Sequence, residues 1–133
     1  MSVTWAATVL ESGRFGAVER RSGIAELREH FDVLRSRGQG YLEVRPQEGE
    51  FPLLTLGFRG ELGVLHLFDD AEKSFLLAGD GTAAADAVVD VPVMDDLAAF
   101  SGDFVLSVDH AWDLVFRFIA KGAPGQLGQW CAV

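Results

Sequence analysis

Between residues 41 and 79 the sequence alternates short apolar segments with tight polar turns, and this pattern constrains the fold most. The segments are 41–45, 52–58, 62–68 and 73–79. Within the second of them Leu54, Leu56 and Phe58 recur at every second position, the period of a half-buried strand. Short strands joined by tight turns predict an antiparallel meander.

Two other segments have the spacing of amphipathic helices. The first follows Ser22, an expected N-cap, and should end before Gly38. The second follows Ser107 and should end at Gly122, because Pro124 prevents its continuation. Its predicted apolar stripe consists of Val108, Ala111, Trp112, Val115, Phe116 and Ile119.

The remaining segments complete a single α+β domain spanning residues 1–133. We expect a strand at 3–9, a weak strand at 87–91 and a last strand at 126–133. The predicted order is β-α-β-β-β-(β)-α-β, an antiparallel sheet of about five to six strands with two main helices packed against it. Within this fold we expect the packing side chains of the second helix to face the first helix or the sheet. They are Trp112, Phe116 and Ile119, opposite Phe31 and Leu34.

The composition indicates the cellular compartment and excludes some kinds of structural site. No apolar run approaches the roughly 18–20 residues of a membrane span, and no basic flank precedes the N-terminal apolar stretch. Cys131 is the only cysteine, which rules out an intramolecular disulfide and a cysteine-rich zinc site. We therefore expect a cytoplasmic protein without a signal peptide, and we expect Cys131 to be a packed thiol.

The net charge of −9 lies entirely in the second half of the chain. Residues 1–59 hold eight arginines and eight acids, whereas residues 60–133 hold twelve acids and three basic residues. Such a field repels nucleic-acid phosphates and attracts basic partners, although acidic residues also serve solubility alone.

The start of the second helix has the composition of a polar site. Asp109, His110 and Asp113 lie within five positions, but His110 and Asp113 supply only two ligands on one helix face. Carboxylates in a first helical turn are typical of capping, so we expect His110 and Asp113 to be dispensable for function. His66 lies in a predicted strand, where a hydrogen-bonded core or edge histidine is the simpler interpretation. The residues predict no catalytic, cofactor-binding or metal-binding set.

Three stretches resemble the Imm1 family of bacterial immunity proteins. They are "SGIAELREHFDVL", "LGVLHLFDDAEKSFLLAGDG" and "FVLSVDHAWDLVFRFIAKGAPGQLGQW". The resemblance spans about residues 3–132. Its closing pattern corresponds here to Phe100, Val105, Val108, Ala111, Val115, Phe118, Gly122, Pro124 and Trp130. The chain departs from the family at "TAAADAVVDVPVMDDLAAF", which replaces a strand rich in aromatic residues and glycine, and at Ala123, where a basic residue is common.

Resemblance to Imm1 implies a non-enzymatic antidote that binds and blocks a secreted toxin, in that family often a nucleic-acid deaminase or nuclease. The expected partner is a basic toxin domain, with no cofactor, nucleic acid or membrane involved. The candidate toxin-binding acids are Asp69, Asp70, Glu72, Asp80, Asp86, Asp90, Asp95 and Asp96. Two alternatives stay open: a small-ligand-binding or enzymatic domain with a pocket near His66 and His110, or a homodimeric structural module.

Overall fold

The computed structural model describes residues 2–46 and 49–133, which form an α+β fold with a mostly antiparallel sheet and two α-helices. The strands are β1 (Ser2–Thr8), β2 (Phe15–Gly23), β3 (Gln39–Arg45), β4 (Leu53–Arg59), β5 (Leu62–Phe68), β6 (Ser74–Leu77), β7 (Val88–Val93), β8 (Asp96–Ser101), β9 (Leu106–Ser107) and β10 (Trp130–Ala132). The helices are α1 (Ile24–Ser36) and α2 (Val108–Lys121). Residues 47 and 48, between β3 and β4, lie outside the described residues.

The main sheet has the strand order β10-β6-β5-β4-β3-β1-β2, and β9 pairs with β5. Strands β3 to β6 are neighbours in sequence and in space, which confirms the predicted meander. Strands β7 and β8 form a separate two-stranded hairpin. The α+β class and the two packed helices are thus as predicted, but the described residues contain more strands than the predicted five to six.

Both helices pack against one face of the main sheet. The Phe31 ring of α1 stacks on the Trp112 ring of α2 with their centroids 4.5 Å apart. The Phe31 ring also meets the edge of the Phe58 ring of β4, at 5.2 Å. All three side chains belong to one large buried cluster, so the predicted packing of Trp112 against Phe31 is confirmed.

Phe116, by contrast, does not face the core as predicted, since 41% of the residue is exposed. Successive residues of an α-helix are rotated by about 100°. The buried face of α2 extends from Leu114 through Val115 and Ile119 to Trp112, and Phe116 lies about 40° beyond Trp112, outside that arc. Its place in the core is taken by Phe118, which is fully buried.

The hairpin of β7 and β8 covers part of the opposite face of the sheet. Strand β7 contacts β3, β4 and β5 in turn, so the hairpin crosses these strands rather than extending the sheet. At the crossing point, a Cβ atom on Gly57 would overlap with the carbonyl oxygen of Pro92. Glycine there allows the two backbones to approach closely. A small apolar cluster containing Val64, Val91 and Val105 fills this second interface.

The structure adds strands to the predicted order and corrects the start of α1. Residues Phe15–Gly23 form the edge strand β2, where no strand was predicted. The N-cap of α1 is Gly23 without a side-chain cap, because the Ser22 hydroxyl instead accepts a hydrogen bond from Trp5 Nε1. Residues Asp96–Ser101 form β8, which was also not predicted.

The predicted ends of α2 are confirmed. The Ser107 hydroxyl accepts a hydrogen bond from the backbone N–H of His110 at 3.2 Å, as an N-cap does. Gly122 caps the C-terminus with φ of 62°, a left-handed conformation that glycine adopts without strain. Cys131 is exposed on β10, so the predicted packed thiol is wrong; β10 is an edge strand of only three residues.

Candidate functional site

The outer side of the hairpin displays apolar side chains that the fold leaves uncovered. Val91, in the middle of β7, is fully buried against the sheet. Three other side chains of the hairpin point elsewhere: Val88 is 74% exposed, and Met94 and Leu97 are each 52% exposed. Leu97 lies opposite Pro92 in the hairpin register, next to the tight turn that contains Met94. These three residues were not identified from the sequence.

Four exposed carboxylates lie in the hairpin or directly before it. Asp86 precedes β7, Asp90 lies within it, Asp95 lies in the turn after β7, and Asp96 is the first residue of β8. We call the exposed acids and apolar residues together the hairpin surface; it consists of Asp86, Val88, Asp90, Met94, Asp95, Asp96 and Leu97. No lysine or arginine occurs between Lys73 and Arg117 in the sequence, so the hairpin contains no cation of its own.

The predicted toxin-binding acids fall into three separate groups. Asp69, Asp70 and Glu72 form the turn between β5 and β6, directly after Phe68. The hairpin crosses β5 at Val64, four residues earlier, which is about 13 Å along a strand. The hairpin acids are the second group, and Asp80 is the third.

Some of these acids already have intramolecular partners. Asp70 Oδ1 accepts hydrogen bonds from the backbone N–H groups of Glu72 and Lys73 at 2.8 and 2.9 Å. Asp95 Oδ1 accepts one from the backbone N–H of Phe15 at 2.7 Å, which fastens the hairpin turn to the edge strand β2. One oxygen of each of these carboxylates is therefore committed to holding a turn in place.

Asp80 is the most strongly engaged of the eight acids. Its Oδ2 accepts hydrogen bonds from His110 Nδ1 at 3.0 Å and from the backbone N–H of Ser107 at 3.1 Å. Its Oδ1 accepts another from the backbone N–H of Thr82. Burial acts to raise the pKa of this carboxyl, but the hydrogen bonds from Thr82, His110 and Ser107 outweigh burial and hold the pKa well below its usual value. The side chain is only 20% exposed, so Asp80 joins α2 to the β6–β7 connection.

The polar residues at the start of α2 each have a different partner. His110 contacts Asp80, Asp109 forms an ion pair with Arg35, and Asp113 forms one with Arg117 at 3.2 Å. Among the described residues no group of three His, Cys, Asp or Glu side chains could hold a metal ion. The arrangement is that of a helix start tied to its surroundings.

His66 lies on the hairpin side of the sheet and is partly buried. Its ring stacks on Phe68 at 4.4 Å, and its Nε2 atom is buried with no hydrogen-bond partner in the described part of the chain. Burial lowers the pKa of this imidazole. The adjoining cavity, also lined by Tyr41 and Thr55, has a volume of about 10 Å³, roughly the space of a single water. The expectation of a fully hydrogen-bonded histidine is therefore wrong.

His66 and His110 do not form one pocket. His66 is in β5 and faces the hairpin side, whereas His110 is in α2, on the face that the helices cover. The two histidines lie in different layers, so a pocket of the enzymatic or ligand-binding alternative would contain one of them and not both.

A scan of the sequence against models of protein families gives no match, and a search of curated proteins gives none either. None of the helices in the described ranges is both long enough and apolar enough to cross a membrane.

Proposed function

We propose that this chain is a cytoplasmic antidote of the Imm1 kind, which binds and blocks a basic, nucleic-acid-targeting bacterial toxin through its hairpin surface. The observation that carries the proposal is the combination of exposed Val88, Met94 and Leu97 with four exposed carboxylates on or beside one hairpin. The Imm1-like sequence pattern supports the class of partner, a secreted deaminase or nuclease.

The composition of the hairpin surface suits a protein partner. Interface energy is concentrated in a few well-packed side chains, while the surrounding polar groups exclude water and fix orientation. Leu97 and Met94 would supply the packed centre, and Asp90 and Asp96 the charged rim. Met94 and Leu97 lie close together at the turn end of the hairpin, and exposed apolar side chains grouped in this way are a common mark of an interaction site.

The sign of the charge suits a toxin that acts on nucleic acid. Such a toxin needs a basic cleft to hold phosphates, and a surface without cations but with several carboxylates would compete for that cleft. Complementary charge of this kind acts mainly by accelerating association. The turn acids Asp69 and Glu72 follow Phe68, which is about 13 Å along β5 from the crossing point at Val64. They would add to the long-range field without belonging to the same contact.

The experiment uses the toxin domain encoded beside the gene of this chain and measures association and dissociation rates at several salt concentrations. Reversing Asp90 and Asp96 to lysine should slow association by about tenfold or more at low salt, since steering by charge is lost. Leu97→Ala should instead accelerate dissociation by about tenfold, as expected for a packed side chain in an interface.

The matched control is the double reversal Asp69→Lys and Glu72→Lys, which makes the same change of charge at the other acidic group. It should slow association less than the hairpin variant. If the turn variant abolished binding and the hairpin variants did not, the proposed binding surface would be wrong. If wild-type protein bound no neighbouring toxin and instead sedimented as a dimer that the Leu97→Ala substitution dissociates, the antidote proposal itself would fall to the structural-module alternative.

A further inference from the structure

Met94 holds a backbone conformation that its side chain disfavours. Strands β7 and β8 end their pairing at Val93 and Asp96, so Met94 and Asp95 alone form the hairpin turn. The φ angle of Met94 is 56°, and in the described part of the chain no other residue except glycine has a positive φ. The two-residue turns that hairpins favour need a positive φ at their first position, which glycine or asparagine usually supplies. Met94 is strained there, because its Cβ atom approaches the following carbonyl oxygen.

Packing within the chain does not compensate for this strain. Met94 is 52% exposed, and it belongs to neither of the two apolar clusters that the described residues form. The side chain therefore gains little from burial, although it is long and apolar. Strained residues persist where the surrounding structure holds them in place, and they are concentrated at sites that bind ligands or partners.

Asp95 fastens the strained turn to the main sheet. Its Oδ1 accepts a hydrogen bond from the backbone N–H of Phe15 at 2.7 Å. Phe15 pairs with Thr8 of β1, and its ring meets the edge of the Tyr41 ring with the centroids 5.4 Å apart. The residue next to Met94 is thus tied to well-packed structure, so the turn presents the Met94 side chain in a fixed place.

We propose that Met94 is the anchor of the hairpin surface, the side chain that enters an apolar pocket in the basic cleft of the toxin while Asp95 holds the turn. The inference rests on the proposed function and adds which side chain supplies most of the contact. Charge complementarity argues for this occupant, because the exposed carboxylates of Asp95 and Asp96 directly follow Met94 and would meet cations at the border of the pocket. A thioether also packs favourably against aromatic rings, which line pockets that hold a nucleobase.

The first variant removes the side chain and relaxes the turn in one substitution. Met94→Gly should accelerate dissociation from the neighbouring toxin domain by at least about tenfold, as expected when an anchor leaves its pocket. The association rate at low salt should stay within about twofold of the wild-type rate, because the carboxylates are unchanged. The melting temperature should stay equal or rise, since glycine adopts a positive φ without strain.

Val88→Gly is the matched control, because Val88 is an exposed apolar residue of the same hairpin that lies in an extended strand. Glycine there relieves no strain, so the melting temperature should fall by about 2–6 °C. Dissociation should change by less than about threefold, since Val88 lies at the end of β7 far from the turn. An equal fall in the melting temperature of Met94→Gly would overturn the inference that the turn is strained to present Met94.

Met94→Gln separates the apolar contact from the geometry of the turn. Glutamine has nearly the same length and retains the Cβ atom, so the melting temperature should not change. Its amide would lose hydrogen bonds to water in an apolar pocket, so dissociation should again be at least about tenfold faster. Wild-type dissociation rates in both Met94 variants, from a toxin that the wild type binds, would overturn the anchor alone. Absence of binding by the wild type would instead overturn the proposed function.

Asp95→Ala and Asp95→Asn test the positioning role of Asp95. Both substitutions remove one charge, but only asparagine keeps a side-chain oxygen that can accept the hydrogen bond from Phe15. Both should slow association to a similar extent, whereas Asp95→Ala alone should accelerate dissociation, by about threefold or more. Equal dissociation rates in the two variants would show that Asp95 does not position Met94 for binding.

Discussion

The two faces of the main sheet are covered in different ways. On the helix side, rings such as Phe31, Phe58, Trp112 and Phe118 interlock in one large cluster with many leucines. On the hairpin side the buried cluster is small and mainly valine, and it adjoins polar groups that include His66. Burial of apolar surface is the dominant favourable contribution to folding, so the helix side should contribute more to the stability of the fold than the hairpin side does. The hairpin is an added layer, and its outer surface is available for binding.

Removing a ring from the helix side should have the largest effect. Phe118 is fully buried between α2 and the sheet, so Phe118→Ala should lower the free energy of unfolding by about 3–5 kcal/mol. Phe116→Ala is the matched control two residues away; it should cost about 1 kcal/mol or less because Phe116 is largely outside the core. Urea denaturation of both variants measures the difference, and equal losses would show that α2 buries a different face.

Disturbing the hairpin interface should have an intermediate and local effect. The Cβ of Gly57→Ala would overlap with the Pro92 carbonyl oxygen, so the hairpin must shift, at a cost of about 1–3 kcal/mol. Gly125→Ala is the control, since a Cβ there meets nothing within 4 Å. Hydrogen exchange should show lost protection in β7 and β8 and retained protection in α2. A uniform loss in both regions would mean that the two layers unfold as one unit.

The same contrast explains what the sequence predicted well. Helix α2 and the meander have strong periodicity and clear end signals, such as Ser107 and Gly122, and local rules suffice for them. Strand β2 is almost wholly exposed and interrupted by its irregular pairing with β1, so no alternating pattern marks it. Phe116 was wrongly predicted to face the core because it lies only about 40° around the helix axis from Trp112. That small rotation is enough to carry a side chain from the core to the surface.

The candidate site also has a part that the sequence predicted and a part that it did not. The confinement of negative charge to the second half is a property of composition, and it led to eight candidate acids, of which four lie in or beside the hairpin. The exposure of Met94 and Leu97 depends on where β7 crosses the sheet, and Asp80 bonds to His110, thirty residues away in sequence. Contacts between residues so far apart in sequence leave no signal in local residue spacing. The sequence therefore predicted neither the exposure of Met94 and Leu97 nor the contact between Asp80 and His110.

The smallest expected effect concerns His66, the polar group that the hairpin side buries with an unpaired Nε2 atom. Burial lowers its pKa from the ordinary value of 6.5, so between the folded and unfolded values the unfolded chain binds more protons. Stability conferred by the neutral ring is therefore complete above pH 6.5 and is lost as the pH falls toward the folded pKa. His66→Leu should remove this dependence, so the thermal unfolding temperature of the variant should change less than that of the wild type between roughly pH 7.5 and 5.

Phe118→Ala, on the helix side, should retain the wild-type pH dependence at its lower stability. An unchanged pH dependence in His66→Leu would show that the hairpin opens readily enough to hydrate this ring, and that the second layer contributes even less to the fold than its small cluster indicates.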